Sequence, residues 1–240
     1  MRQRLDQLVV ARQIVATRSQ AESWIRLGKV TVNGKAVTKP GTFIDDTASI
    51  ALTATERYVS RAGLKLASVA EAFQLDFKDK IVLDVGSSTG GFTDYALQHG
   101  AKRVYAIDVG TDQLHPSLHG HERIELHEKT DIRDYTPPEK PNVVVIDVSF
   151  ISLRQILPHI ASVSSRDTQI VAMVKPQFEA SRQQITSGGI VKNDTVRRQI
   201  MRDFELWTRR YFMITAKADS EVHGAHGNKE RFYVLKTLQI

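Results

Sequence analysis

The chain has 240 residues, a formal net charge of +6 and a pI near 9.5, with 41% apolar residues, 25% charged residues and no cysteine. This length accommodates one large and one small domain, and the basic excess favours a polyanionic partner. The missing cysteines exclude disulfides and thiolate metal sites, and no apolar run approaches the ~18 residues of a spanning helix, so we expect a cytoplasmic protein without a signal sequence or membrane segment.

The basic excess is concentrated near the amino terminus. Up to Glu56 the chain has 8 basic and 5 acidic residues, so half of the net charge lies in the first quarter of the sequence. This asymmetry favours binding of nucleic acid by the amino-terminal segment, although a solvated surface produces the same pattern.

Two short helices and a hairpin are predicted in the first fifty residues. Leu5, Leu8 and Val9 follow helical spacing, and Ser19-Gln20-Ala21-Glu22 is a capping box that predicts the start of a second helix. Asn33-Gly34 lies between two short apolar segments and is a strong signal for a two-residue hairpin turn. The basic side chains near these elements are Arg4, Arg18, Arg26, Lys29 and Lys35.

The order of these elements resembles a known RNA-binding module. Arg4-Leu5-Asp6, Arg18-Ser19-Gln20-Ala21 and the segment 28–35 are similar to the small domain named after ribosomal protein S4, over roughly residues 1–52. The resemblance implies that one face of the two helices holds structured RNA by its phosphates, through the five basic residues named above. The alternative is a small packing domain with incidental arginines.

A linker and a helix precede the second domain. Residues 53–58 have no periodic apolar pattern, so we predict an RNA-binding domain with its linker at residues 1–56 and a second domain at residues 57–240. A helix is predicted from Arg61, with Lys65 off its apolar stripe near the amino-terminal end. That stripe consists of Leu64, Ala67, Ala70 and Phe73.

Strand and helix patterns alternate through the second domain. Continuous apolar runs between helices predict a doubly wound, Rossmann-like α/β sheet, mainly parallel and covered on both faces. No helix pattern separates the last two runs, so we expect an antiparallel hairpin at the sheet edge. Residues 183–193 are expected to form a mobile loop that closes over a substrate or merely connects two elements. The predicted strands are residues 81–85, 104–107, 124–126, 143–146, 170–174, 212–216 and 232–235, and the predicted helices are residues 92–98, 151–160 and 194–207.

The first strand of this sheet is joined to a helix by a turn of glycines and small hydroxyl residues, within residues 83–92. Glycines at such a junction allow positive φ and let a ligand approach the backbone. The spacing from Gly86 to Thr93 fits a phosphate-binding loop except that Phe92 replaces its lysine, and the dinucleotide pattern G-x-G-x-x-G is missing. These absences favour an adenosine ligand without a phosphate, which S-adenosylmethionine satisfies. A tight turn without a ligand is the alternative.

Two acids further along the chain support the cofactor interpretation. Asp108 ends the next apolar run, 24 residues after Asp84, close to the spacing at which an acid holds ribose hydroxyls. Asp131 follows the third strand and suits the adenine amino group. Each acid alone is explained as well by a helix cap or a solvated loop. The predicted cofactor-binding residues are Asp84, Gly86, Ser88, Gly90, Gly91, Phe92, Asp108 and Asp131.

Charged residues also end two neighbouring strands. Asp147 follows residues 143–146 and Lys175 follows residues 170–174. Because ligands of an open parallel sheet bind outside the carboxyl ends of its strands, this pattern places an ammonium beside a carboxylate at the cleft. Glu230, just before the last strand, can reach the same region.

These strand-end residues resemble a known catalytic tetrad. The FtsJ-like ribose methyltransferases carry lysine, aspartate, lysine and glutamate in the order of Lys65, Asp147, Lys175 and Glu230. With the amino-terminal module and the segments around these four residues, the whole chain resembles the TlyA family. Ser87-Ser88-Thr89 departs from the proline-bearing turn of FtsJ itself, which affects the contacts of those hydroxyls.

The resemblance implies an activity. Members of the TlyA family use S-adenosylmethionine to methylate ribose 2′-hydroxyls of cytidines in ribosomal RNA, and many carry a hemolysin name. It therefore implies a methyltransferase with ribosomal RNA or ribosomal subunits as partner, and without a membrane or a metal. A membrane-acting hemolysin and a non-catalytic RNA-binding protein are the alternatives. The missing signal peptide and membrane segment argue against the first, and the intact tetrad argues against the second.

Methyl transfer to a ribose hydroxyl needs a positioned base, and Lys175 is our candidate. A lysine acts as a base only when it is neutral, which burial, the neighbouring Lys65 and a cationic cofactor favour, whereas Asp147 favours the charged form. We therefore expect Asp147 and Glu230 to hold the lysines in place.

Phe150 is a candidate for contact with the target nucleotide. It lies three residues after Asp147, where base-amino methyltransferases carry the aromatic residue that stacks an extruded base. Val148-Ser149 replaces the two prolines of that motif, so we expect Phe150 to stack on a flipped nucleotide while the chemistry falls on the ribose. The alternative is that Phe150 begins the next helix and packs in the core.

No metal site is predicted. The chain has no cysteine, and the spacing of His115, His119, His121 and His127 matches no metal-binding motif. A polar surface loop accounts for these histidines.

Overall fold

The structure is a computed structural model that describes residues 2–15, 18–26, 28–53, 58–222 and 228–238. Contacts divide the chain into two units, Met1–Arg61 and Ala62–Ile240. Most of the predicted linker, including the boundary between residues 56 and 57, lies outside the described residues, so the exact boundary stays a prediction. Within the described ranges, every helix is too short or too polar to span a lipid bilayer.

The first unit contains two helices, α1 (Leu5–Ala11) and α2 (Arg18–Arg26). The capping box predicted a helix start at Ser19, but α2 already begins at Arg18, which an ion pair holds against Asp6. Ser19 therefore lies inside the first turn. The core of this unit includes Leu5, Leu8, Val9, Ala21, Trp24 and Ile25.

The strands of the first unit are β1 (Arg2–Arg4), β2 (Val30–Val32), β3 (Lys35–Ala36), β4 (Phe43–Asp45) and β5 (Ile50–Leu52). β1 pairs with β4, and β2 lies between β3 and β5. The predicted hairpin is confirmed, since Asn33 and Gly34 have φ angles of +50° and +78°, as a type I′ turn requires. The sequence did not predict β1, β4 and β5, because three residues are too few to display an alternating pattern.

The second unit is a sheet with helices on its faces. Its strands are β6 (Ile81–Val85), β7 (Arg103–Ile107), β8 (Ile124–His127), β9 (Val143–Ile146), β10 (Gln169–Val174), β11 (Phe212–Asp219) and β12 (Arg231–Thr237). Its helices are α3 (Arg61–Ala70), α4 (Gly91–Gln98), α5 (Leu153–Val163), α6 (Pro176–Glu179) and α7 (Asp194–Thr208). Three short 3-10 helices span Pro116–Leu118, Ile132–Asp134 and Arg182–Gln184.

The seven strands are ordered β11-β12-β10-β9-β6-β7-β8. β6 to β10 pair in parallel, while β12 is antiparallel to both β10 and β11. The predicted doubly wound sheet with an antiparallel hairpin at its edge is therefore confirmed. The chain runs outward from β6 to β7 on one side and from β9 to β10 on the other, which makes the gap after β6 and β9 the topological switch point where ligands bind in such folds.

One local prediction in this unit is partly wrong. Of the predicted stripe of α3, Ala70 and Phe73 are buried, but Gly63, Leu66 and Val69 are buried in place of Leu64 and Ala67. In the loop at residues 183–193 a short bridge joins Ile185 to Val191, and Asn228 bonds to Gly189 and Val191, while the expected closure over a substrate stays a prediction. These contacts tie the loop to the segment that leads into β12.

Candidate active site

The carboxyl ends of β6, β7, β9 and β10 meet at one edge of the sheet. β6 and β9 are in register at Val85 and Ile146, and β9 and β10 are in register at Ile146 and Ala172. The antiparallel β12 begins beside the end of β10, because Arg231 pairs with Val174. Residues that flank these positions therefore line one crevice.

Glycine shapes the turn after β6. Gly86 and Gly90 have φ angles of +81° and +87°, and Ser88 is also left-handed at +46°. A Cβ at Gly86 would lie 2.7 Å from the carbonyl oxygen of Asp147, so that any other residue would clash with this backbone. The turn thus lies directly against the strand end that carries Asp147.

Asp108 holds this turn in place. Its carboxylate accepts hydrogen bonds from the backbone N–H groups of Ser88 and Gly110, both at 2.7 Å. An ionised carboxylate has about four acceptor positions, so about two are left for ribose hydroxyls. The neighbouring Val109 is 71% exposed and adds an apolar surface beside Asp108. The sequence analysis assigned it no role, although its position directly after the acid could have indicated one.

Asp131 lies at the same edge, since the backbone N–H of Thr130 donates to the carbonyl of Asp108 at 3.0 Å. The Asp131 carboxylate is already engaged by Arg133, whose Nε and Nη2 donate to it at 3.0 and 2.6 Å. Hydrogen bonds from Arg133 hold the pKa of Asp131 below its ordinary value. The predicted contact with adenine would have to use the acceptor positions that Arg133 leaves.

Asp84 is fully buried on β6. Its Oδ2 accepts a hydrogen bond of 2.6 Å from the Thr93 hydroxyl, whereas its Oδ1 has no partner among the residues that the structure describes. Burial raises the pKa of Asp84 to about 7, with further increase from the charges of Asp147 and Asp108, against the opposing bond from Thr93. A buried carboxylate oxygen without a partner is costly, so this atom is a candidate for contact with a cationic ligand.

Phe92 was predicted to bind the cofactor, but its ring belongs to the core. The ring is 2% exposed and its centroid lies 6.2 Å from that of Phe232. Only the backbone N–H groups of Gly91 and Phe92, in the first turn of α4, are left for a ligand.

The Lys175 ammonium lies between two residues of the turn after β9. Its Nζ is 2.6 Å from Asp147 Oδ1 and donates to the Ser149 hydroxyl at 2.8 Å. The predicted juxtaposition of ammonium and carboxylate at the cleft is therefore present. Ser149 stands where the base-amino motif has its second proline, and no sequence pattern assigned it a role.

Lys65 and Glu230 form a second ion pair, with 2.5 Å between Nζ and Oε2. Both side chains are buried, whereas the helical pattern predicted that Lys65 points off the apolar stripe. Glu230 lies 165 residues further along the chain, so local periodicity cannot reveal the partner that allows burial of this charge. The backbone before Glu230 is itself fixed by Arg197, whose Nε donates to the Lys229 carbonyl at 3.0 Å.

Phe150 is 92% exposed and has a φ angle of +65°. The alternative in which it begins a helix and packs in the core is wrong, because α5 begins at Leu153 with Ser152 as its cap. Its ring lies 5.3 Å from that of Phe178 and tilted by 49°. An exposed aromatic ring on a left-handed backbone is an unusual feature that often marks a functional site.

The five basic residues of the first unit fall into two groups. Arg4 and Arg18 lie 2.8 and 3.0 Å from the buried carboxylate of Asp6. Hydrogen bonds from these two arginines lower the pKa of Asp6, with that from Arg4 the larger cause. Arg26, Lys29 and Lys35 are exposed, and within the described part of the chain they form no ion pair. Two of the predicted RNA contacts therefore also have a structural role.

The residues of the crevice fit the sulfonium cofactor inferred from the sequence. The Gly86 turn exposes backbone to the crevice, Asp108 keeps acceptor positions open, and Asp84 Oδ1 lacks a partner within the described ranges. Three carboxylates near this edge, on Asp84, Asp108 and Asp147, suit a ligand with positive charge. In contrast, the turn after β6 has no lysine that would bind a triphosphate.

The fold and the family match define the class of this protein as a methyltransferase. A solved structure described as an S-adenosylmethionine dependent methyltransferase from Mesorhizobium loti shares the fold over 75% of this chain and 100% of its own chain, with a TM-score of 0.54 at 12% identity. The chain belongs to the FtsJ-like methyltransferase family, whose profile matches residues 58–237, and residues 3–49 match the S4 domain.

Relatives with similar sequences carry both halves of this arrangement. The Mycobacterium tuberculosis protein named 16S/23S rRNA (cytidine-2'-O)-methyltransferase TlyA is 39% identical over 98% of this chain and 90% of its own length. Hemolysin A of Brachyspira hyodysenteriae is 39% identical over 95% of this chain and 97% of its own length. A solved structure of a hemolysin-named protein from Streptococcus thermophilus has a TM-score of 0.76 at 39% identity, over 99% of this chain and 89% of that one.

Proposed function

We propose that this protein uses S-adenosylmethionine to methylate the ribose 2′-hydroxyl of a cytidine in ribosomal RNA. The name of the TlyA relative supports the reaction and the substrate class, and the S4 domain supports an RNA partner. The two domains, near residues 1–56 and 57–240, would then divide the work, the first holding RNA and the second carrying out the transfer.

One observation carries this proposal. The Gly86 turn packs against the main chain of Asp147, and the Asp147 carboxylate in turn lies 2.6 Å from Lys175 Nζ. A cofactor on the glycine turn and a base directly after β10 would thus face the same small volume. Such proximity is what a transfer between a bound donor and a positioned hydroxyl requires.

We propose the following roles at the cofactor side. Backbone at Gly86, Ser88, Gly90, Gly91 and Phe92 would lie along the methionine part of the cofactor. Asp108 would accept from the ribose hydroxyls, Val109 and Asp131 would contact the adenine, and Asp84 would meet the ammonium group. Bound S-adenosylmethionine supplies an electrophilic methyl group on a cationic sulfur.

Lys175 is the proposed general base. In its neutral form its Nζ takes the proton of the 2′-hydroxyl while the oxygen bonds to the methyl carbon. Asp147 and Ser149, at 2.6 and 2.8 Å, hold Nζ in position and stabilise the ammonium that results. The buried Lys65–Glu230 pair supplies a second lysine that is held in a fixed position.

Phe150 and the exposed basic residues are the proposed RNA contacts. Once the target nucleotide is flipped out of the RNA helix, the ring of Phe150 would stack on its nucleobase. This stacking would place the ribose of that nucleotide at Lys175. Arg26, Lys29 and Lys35 would hold phosphates, with Arg4 and Arg18 contributing through the donors that Asp6 does not use.

The test is transfer of a labelled methyl group from S-adenosylmethionine to purified ribosomal subunits, followed by mapping of the modified nucleotide by mass spectrometry. We expect label on a cytidine 2′-oxygen. Lys175→Met should lower the rate by about 10²–10⁴-fold, the usual contribution of a general base. Lys78→Met, a change of an exposed lysine before the amino end of β6, is the matched control and should keep full activity.

Other outcomes separate the competing functions. Full activity of Lys175→Met at neutral pH would refute the base assignment, and label on a base rather than a ribose would refute the reaction. Absence of label together with release of dye from liposomes would favour a membrane-acting hemolysin. Absence of both signals would favour an RNA-binding protein without catalysis.

A further inference from the structure

The turn between β9 and α5 needs support that its own sequence does not provide. Phe150 holds a φ angle of +65° with its ring 92% exposed. A left-handed backbone is strained for a non-glycine residue, and an exposed ring gains little from burial in return. Contacts from outside the turn must therefore maintain this conformation.

Glu179, at the end of α6, makes such contacts from a buried position. One carboxylate oxygen accepts from the Ser152 hydroxyl at 2.7 Å, and the other accepts from the backbone N–H of Leu153 at 2.7 Å. Burial raises the pKa of the Glu179 carboxyl, while these two bonds oppose the increase. The carboxylate is thus committed to the first turn of α5, where backbone donors lack partners within the helix.

Two neighbours of Glu179 hold the other side of the same turn. The ring of Phe178 lies 5.3 Å from that of Phe150, and Lys175 Nζ donates to the Ser149 hydroxyl at 2.8 Å. The segment 175–179 therefore contacts the turn on both sides of Phe150. Of these contacts, Glu179 makes the ones to the start of α5.

We propose that Glu179 is a positioning residue that fixes the turn of Phe150 against the lysine-bearing segment 175–179. It acts on RNA through Phe150 and contacts neither the cofactor nor the reacting oxygen. This inference rests on the proposed function, which assigns Phe150 to the target nucleobase. A role limited to capping α5 would stabilise the fold without any specific effect on RNA.

A double-mutant cycle distinguishes the two roles. Glu179→Ala should lower kcat/KM for ribosomal RNA by about 10–100-fold, because misplacement by about 1 Å has effects of this size, and should leave the Kd for S-adenosylmethionine within about twofold. Glu179→Gln, which keeps the size and one acceptor oxygen, should restore part of the loss. In a Phe150→Ala background, Glu179→Ala should cost less than about twofold, since the residue through which it acts is gone.

Thr168→Val is the matched control for lost stability. The Thr168 hydroxyl is buried and donates to the Pro141 carbonyl at 2.7 Å, next to the amino end of β10 and away from the crevice. Its loss should lower the free energy of unfolding and leave kcat/KM for RNA unchanged. Equal costs of Glu179→Ala with and without Phe150, or a parallel loss of cofactor affinity, would overturn the positioning role.

A spectroscopic readout tests the same contact without RNA. The chain has nine phenylalanines, and in protein labelled with 4-fluorophenylalanine the signal of Phe150 is identified by its loss in Phe150→Leu. Glu179→Ala should shift this fluorine signal and Thr168→Val should not. An unchanged signal would refute the proposal. The fluorine measurement therefore tests the positioning role even if Phe150→Ala is too slow for the kinetic cycle. A shifted signal in a protein without methyl transfer would refute the proposed function and leave the positioning role standing.

Discussion

Asp84 is a buried titratable group that the fold has to accommodate. It is fully buried, only one of its oxygens has a partner among the described residues, and its pKa is raised to about 7, mainly by burial. The folded chain therefore keeps a proton between about pH 4 and 7 that the unfolded chain has lost. Stability supplied by this residue is greatest at low pH and falls as the pH rises to 7, because the unfolded state binds fewer protons there.

Asp84→Asn should remove this pH dependence. The amide has no charge to bury and its oxygen can still accept the bond from Thr93. Relative to wild type, we expect the variant to gain unfolding free energy between pH 4 and 7, with an upper limit of about 4 kcal/mol from the size of the pKa increase. Urea unfolding at several pH values measures this difference, and a constant difference across that range would contradict the assignment.

At the residue scale, the sequence predicted the pairing of Asp147 with Lys175 and missed the partners of the other charged side chains. Asp147 and Lys175 were placed together because neighbouring parallel strands end at one edge. The burial of Lys65 depends on Glu230, and the engagement of Arg4 and Arg18 depends on Asp6, so these outcomes need tertiary contacts. The sequence analysis assigned Glu179 no role, because its buried bonds to the start of α5 have no signature in sequence.

The turn after β6 is the element that joins the proposed cofactor region to the proposed catalytic residues. Gly86 has a φ angle of +81°, and a Cβ added at this position would clash with the main chain of Asp147. Gly120 has a φ angle of +68° and open space where a Cβ would be. The two glycines therefore separate the cost of the backbone conformation from the cost of the clash.

Gly86→Ala should be much more harmful than Gly120→Ala. We expect about 1 kcal/mol of lost stability for Gly120→Ala, with unchanged cofactor affinity. For Gly86→Ala we expect an additional 1–3 kcal/mol, roughly, from overpacking against Asp147, together with at least about tenfold weaker binding of S-adenosylmethionine. Urea unfolding and calorimetry measure these quantities. Equal effects of the two substitutions would show that the contact with Asp147 does not matter.

At the element scale, strands that form continuous apolar runs were predicted well, whereas very short elements and long-range contacts were not. The strands of the central sheet and its antiparallel hairpin followed from apolar runs and from the spacing between them. The displaced stripe of α3 was missed because Lys65 is buried by an ion pair and takes a position that a pattern of apolar residues excludes. The bridge between Ile185 and Val191 was missed because isolated pairings leave no pattern.

The charge of the whole molecule bears on how it would find RNA. The net charge is +6, and Arg26, Lys29 and Lys35 are exposed cations of the first unit. Contacts to phosphates release counterions, so each such contact contributes to the salt dependence of binding. The two units can therefore be tested separately, one by its salt dependence and the other by its cofactor affinity.

Replacing Arg26, Lys29 and Lys35 together by glutamine should weaken binding of ribosomal RNA and lower the slope of log Kd against log salt by about 1 per lost contact. The Kd for S-adenosylmethionine should not change. Fluorescence anisotropy with a labelled RNA fragment at several salt concentrations measures the slope, and Lys78→Gln is the control for loss of charge elsewhere. An unchanged slope in the triple variant would refute this RNA-binding surface.

At the scale of the whole molecule, the sequence predicted a fold and a family that the comparisons confirm. Residues 58–237 match the FtsJ-like methyltransferases and residues 3–49 match the S4 domain. The motifs made this prediction possible because each lies at a strand end or a helix start. At such positions the order of elements along the chain limits which residues can come into contact. The exact boundary near residue 56 and the roles of individual site residues stay predictions, since no local pattern specifies them.

The most direct test of the central claim is a crystal structure with S-adenosylmethionine bound. We predict that the cofactor lies along the turn from Gly86 to Gly91, with its ribose hydroxyls on Asp108 and its methyl carbon facing Lys175 Nζ. A cofactor bound elsewhere, or a complex in which Asp147 and Lys175 face away from the methyl carbon, would contradict the account.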